Sequence, residues 1–113
     1  MSRRRILFLA EAVTLAHVAR PVALAKSLDA SDWEIRLATD SRYAGAIGTL
    51  PFPVEPLWTI PPERFRNALE RGSPIYDAAS LDRYVEEELR LIDGFGPDVV
   101  VGDFRVSLAI SAR

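Results

Sequence analysis

The chain has 113 residues, 49% of them apolar and 27% charged, which suits one globular domain with a modest core. Fourteen basic against sixteen acidic residues leave a net charge of −2, so no field favours nucleic acid or an anionic membrane as partner. The absence of cysteine excludes disulfides, thiolate zinc and cysteine nucleophiles, and it fits a reducing cytoplasm.

Arg3-Arg4-Arg5 followed by Ile6 to Ala10 imitates a secretory leader, but the apolar run is short and Glu11 interrupts it before any cleavage-like site. It reads instead as a buried strand with a solvated entry, and no apolar stretch is long enough to span a membrane. Val18, Val22, Ala25 and Leu28 then recur at helical spacing, with the helix beginning near Val18 because Pro21 is tolerated only close to a helix start. Trp33 to Leu37 alternates apolar and charged residues, which predicts a strand with one solvated face lying away from the sheet centre. Asp40 to Pro62 is irregular, and the prolines around Phe52 to Leu57 confine any strand there to an edge.

Two further helices are expected. One spans Pro62 to Arg71 and stops at Gly72. The other is centred on Leu81 to Asp93, with Leu81, Tyr84, Val85, Leu89 and Ile92 on one face and a stop at Gly94 and Pro97. The run Glu86-Glu87-Glu88 reads as the wet side of that helix. Asp98 to Gly102 reads as a central strand buried on both faces, and Leu108, Ala109 and Ala112 open a helix with no stop signal before Arg113. The alternation predicts an α/β fold, a Rossmann-like three-layer parallel sheet, cut mid-element and therefore a fragment.

The chain's one histidine, His17, follows the first strand, where an open α/β sheet concentrates its chemistry. Imidazole is the side-chain type whose ordinary titration range suits proton transfer near neutrality. In the common doubly wound order the fourth strand neighbours the first, so Asp103 is expected to face the same crevice. A carboxylate there would orient the imidazole and stabilise the cation formed on proton uptake, while the positive end of the following helix disfavours that cation. The competing reading is a surface histidine, with Asp103 capping a helix that opens at Arg105. No glycine occurs between Glu11 and Ala16, so neither dinucleotide fingerprint nor P-loop exists, and Asp40 reads as a cap or turn residue. No metal-ligand spacing is visible, and Ser107 and Ser111 lack a nucleophile-elbow context.

His17 to Leu28, followed by Trp33 to Thr39, resembles the opening of nucleotide-sugar-dependent GT-B glycosyltransferases of the family 1 UDP-glucosyltransferase and macrolide glycosyltransferase type. Pro97-Asp98-Val99-Val100-Val101-Gly102-Asp103 resembles a second motif of the same family, in the correct order. The resemblance implies that residues 1–113 are part of an N-terminal, acceptor-binding domain, with His17 as general base and Asp103 as its orienting carboxylate. It implies an inverting, metal-independent transfer of sugar from a nucleotide-sugar co-substrate to a hydroxyl of a small, apolar acceptor, with no other cofactor. Thr14, Phe52, Trp58, Ile60, Phe65 and Tyr76 would line the acceptor site, with ordinary core packing the competing role for at least half of the apolar ones. Ala16 and Arg20 stand where many members have glycine and proline. The donor-binding domain would lie elsewhere in the same or another chain, leaving this segment inactive by itself and prone to self-association along an open strand edge. The alternatives are a subunit of a split glycosyltransferase and a non-catalytic flavodoxin-like binding module.

Overall fold

The computed structural model describes residues 3–113. Four parallel strands, β1 (Arg4–Ala10), β2 (Trp33–Thr39), β3 (Val54–Pro56) and β4 (Val99–Asp103), form one sheet in the order β3-β2-β1-β4. Between them lie α1 (Leu15–Ser27), a 3₁₀ turn (Ser41–Tyr43), α2 (Ala44–Ile47), α3 (Pro62–Arg71) and α4 (Ala78–Phe95), and α5 (Leu108–Ser111) follows β4.

β1 is buried on both faces, with Leu7 to Ala10 fully covered, as its unbroken apolar run requires. The pleat sends Ile6, Phe8 and Ala10 to one side, where Val18, Val22 and Ala25 of α1 meet them. Leu7 and Leu9 point to the other side, against Leu91, Ile92 and Phe95 of α4. Helices on both faces of a parallel sheet make the Rossmann-like three-layer arrangement that the alternation predicts.

Several elements depart from expectation. α1 begins at Leu15, so His17 lies in its first turn and Pro21 in its interior. Proline there leaves the His17 carbonyl without its usual donor, and packing of Pro21 and its buried neighbours offsets that loss. β2 is an inner strand, paired with both β1 and β3. Its alternating charges survive because Arg36 lies over the Phe95 ring at 4.3 Å and meets Glu55 at 3.5 Å, with β3 taking the edge. β4, conversely, has only β1 beside it and is partly exposed along its length. α4 runs through Gly94 and ends at Gly96, whose left-handed φ of 64° closes the helix with its N–H on the Ile92 carbonyl.

The largest correction concerns Glu88. Its side chain is fully buried, because α4 turns Ser80, Tyr84, Glu88 and Phe95 inward while Leu89 lies 41% exposed. The inward face thus runs one residue out of step with the apolar pattern, and only a strong polar partner explains that. The partner is Arg105.

Candidate active site

β4 carries Asp103 at its C-terminal end in register with Ala10 of β1. Alternation along β4 puts Asp103 on the same face as Val101, the face α1 covers, and His17 stands in the first turn of that helix. The His17 Nδ1 and Asp103 Oδ1 atoms are 2.9 Å apart, with the two side chains 19% and 18% exposed. Thus two residues 86 positions apart in the sequence close onto one hydrogen-bonded pair. Arg20, one turn along α1, donates from Nε to Asp103 Oδ2 at 2.8 Å and from Nη2 to Oδ1 at 2.7 Å. These Arg20 hydrogen bonds hold the Asp103 carboxyl below the usual carboxylate range; partial burial opposes the shift and the His17 contact adds to it. Asp103 caps no helix: its carboxylate is spent on His17 and Arg20.

The residue after Asp103 completes the site. Phe104 has a φ of 57°, a left-handed backbone that a bulky side chain adopts only under constraint. That conformation lays its ring on the His17 imidazole, with centroids 4.9 Å apart and planes 12° from parallel. Phe65 of α3 meets Phe104 edge-on at 5.7 Å. The imidazole is thereby pinned on one face, leaving Nε2 as the nitrogen without a bond to Asp103.

The constraint on Phe104 comes from beneath. Arg105 is fully buried along its side chain and donates to Glu88 Oε2 at 2.6 Å, Glu11 Oε1 at 2.8 Å and the Trp58 carbonyl at 3.1 Å. Glu88 also accepts from the Ser107 and Ser111 hydroxyls, each at 2.7 Å. Glu11 accepts from the Tyr84 hydroxyl at 2.7 Å and from the Tyr76 hydroxyl. Burial, reinforced by Glu11, raises both phenols well above their ordinary range. Two carboxylates and one guanidinium therefore tie the ends of β1 and β4 to α4 and seat the turn that holds Asp103 and Phe104.

The other sequence candidates divide. Thr14 is the N-cap residue of α1, and its side chain makes no capping bond. Trp58, Phe65 and Tyr76 share one cluster with Val13, Ile60 and Tyr84, and Phe65 links that cluster to the site by its edge-on contact with Phe104. Ile60 is fully buried core. Phe52 packs instead against the α1-side core with Phe8 and Leu37, in a cluster apart from Trp58, Phe65 and Tyr76. Asp40 caps the 3₁₀ turn and holds Arg42, which reaches the carbonyls of Ala12, Thr59 and Ile60. Sequence reasoning missed Phe104 and the Glu11–Arg105–Glu88 network. A hint existed in Glu11, a carboxylate placed directly after a fully apolar strand.

The chain is 55% identical over 111 residues to a PGL/p-HBAD biosynthesis rhamnosyltransferase of Mycobacterium tuberculosis, covering 98% of this chain and 24% of that protein. It is 45% identical to a PGL/p-HBAD biosynthesis glycosyltransferase of the same species, covering 26% of it. It is also 45% identical to an inactive PGL/p-HBAD biosynthesis glycosyltransferase of Mycobacterium bovis, covering 30% of it. Over nearly its whole length the chain is a homologue of glycosyltransferases. It spans about a quarter of the length of these relatives. No family model and no solved structure matches. No helix among the described residues is long and apolar enough to cross a membrane.

Proposed function

We propose that residues 1–113 form the acceptor-side part of a GT-B-type, inverting, metal-independent glycosyltransferase, with His17 as general base and Asp103 as its orienting carboxylate. The observation that carries this reading is the 2.9 Å contact between His17 Nδ1 and Asp103 Oδ1 in a homologue of glycosyltransferases. A base bound through Nδ1 to a carboxylate presents Nε2 to an acceptor hydroxyl. As the hydroxyl oxygen attacks the anomeric carbon of a nucleotide sugar, its proton passes to Nε2 and the bond to the nucleotide diphosphate breaks. The charge on Asp103 stabilises the imidazolium that results. Phe104 on the imidazole and Phe65 edge-on to Phe104 offer aromatic surface beside the base, which suits a small apolar or aromatic acceptor, and Trp58 and Tyr76 would extend that surface through the cluster they share with Phe65. The donor is assigned to the remainder of the natural polypeptide or to a partner chain.

Likeness over this segment does not separate an active from an inactive protein, since both kinds share it at 45% identity. The deciding experiment is turnover by the natural full-length protein carrying His17→Ala. Loss of a general base lowers turnover by roughly 10²–10⁴-fold. A variant within about tenfold of its parent overturns the assignment.

A further inference from the structure

The dyad has a third member whose demands conflict with the other two. Arg20 Nη2 lies 2.7 Å from Asp103 Oδ1 and 2.9 Å from His17 Nδ1, and those two atoms are 2.9 Å from each other. A neutral imidazole carries its proton on one nitrogen only. With the proton on Nδ1, the ring donates to Asp103 and the Arg20 N–H faces another N–H. With the proton on Nε2, the Nδ1 lone pair accepts from Arg20 and faces the carboxylate oxygen. One edge of the triangle is unfavourable in either state.

Asp103 already has both oxygens satisfied by the bidentate guanidinium, so it draws the Nδ1 proton less strongly than a free carboxylate would. We propose that Arg20 is a positioning residue that restrains the dyad by shifting neutral His17 toward the Nε2–H tautomer. This inference rests on the reading of His17 as the base, because the Nε2–H form has no lone pair at Nε2 to take the acceptor's proton. The side chain can move without disturbing the core: it is 62% exposed, against 18% for Asp103. Turning the guanidinium outward returns Nδ1–H to Asp103 and frees Nε2. Arg20 thus sets the fraction of molecules ready to deprotonate an acceptor.

The tautomer can be read without turnover. Nitrogen-15 labelling of histidine in the natural protein, with His17→Gln identifying the resonance, distinguishes Nδ1–H from Nε2–H well above the ordinary imidazole range of about 6.5. Arg20→Ala is expected to move the tautomer ratio roughly tenfold toward Nδ1–H, the weight of one charge-assisted hydrogen bond. An unchanged ratio, or a shift toward Nε2–H, overturns the inference. In turnover, Arg20→Ala raises kcat above the parent if Arg20 restrains the base; an unchanged or lower kcat overturns that restraint. The two readings fail separately. A dispensable His17 with a moving tautomer ratio removes the transferase assignment alone, whereas an essential His17 with a fixed ratio removes only the role of Arg20.

Discussion

Replacing Arg105 by methionine tests whether the buried ionic network holds the site together. The substitution keeps most of the side-chain length and removes the cation from between Glu11 and Glu88, all three side chains being fully buried. Removing one partner of a buried ion pair costs about 3–5 kcal/mol, because the remaining charge stays buried without compensation. Here two carboxylates are stranded, but Glu88 keeps the Ser107 and Ser111 hydroxyls and Glu11 keeps those of Tyr76 and Tyr84. We therefore expect a loss in the lower half of that range, about 3–4 kcal/mol. An unfolding entropy near 2.1 cal/mol/K per residue gives about 0.24 kcal/mol/K for 113 residues, so the midpoint falls by about 13–17 °C.

The assay is thermal and urea unfolding of parent and variant, followed by circular dichroism and compared as free energies, since a larger cooperative unit would show a smaller temperature shift. Glu88→Gln placed on top of Arg105→Met removes one stranded charge. It should recover part of the loss, giving strong non-additivity between adjacent sites. A loss below about 1 kcal/mol, the value of an exposed ion pair, would refute the claim that this network is a structural determinant.

Three further outcomes follow from the same geometry. Gly102→Ala should destabilise by about 1–3 kcal/mol on urea unfolding, because its added Cβ would come within 2.8 Å of Leu108 Cδ2 and 3.2 Å of Arg105 Cβ. The carboxyl of Asp103 titrates below its ordinary range in the folded chain, so its contribution is present above about pH 4 and is lost as pH falls through the depressed value. Asp103→Asn should therefore flatten the acid side of a stability–pH curve. Tyr76 and Tyr84 titrate above the ordinary phenol range in the fold, so their contribution is full below about pH 10 and is lost as pH rises beyond it. Tyr76→Phe should weaken that alkaline dependence.

How much was legible in the sequence follows from which interactions are local. β1 was readable because five consecutive apolar residues between charges leave little alternative, and α3 because Gly72 closes it in a left-handed cap. The pairing of His17 with Asp103 was readable from strand order, which needs only the alternation of elements. α1 was misplaced because proline's preference for a first turn is a local rule, and burial of Pro21 against the sheet overrides it. Glu88 was misread for the same kind of reason. Within Glu86-Glu87-Glu88 nothing local singles out the middle of the buried face; its burial depends on Arg105, 17 residues away, and on Glu11 beyond it.

That nonlocal dependence bears on the site itself. Asp103 and Phe104 immediately precede Arg105, and the left-handed backbone at Phe104 is where the chain turns from the open face carrying His17 into the buried network. A non-glycine residue in that region costs of order 1–3 kcal/mol and persists only where its surroundings over-determine it. The three hydrogen bonds of Arg105 supply that over-determination. The strain and the network are then one device: the buried guanidinium fixes where the half-buried Asp103 carboxylate and the Phe104 ring stand. Residues that never touch His17 thereby set where two that do, Asp103 and Phe104, stand.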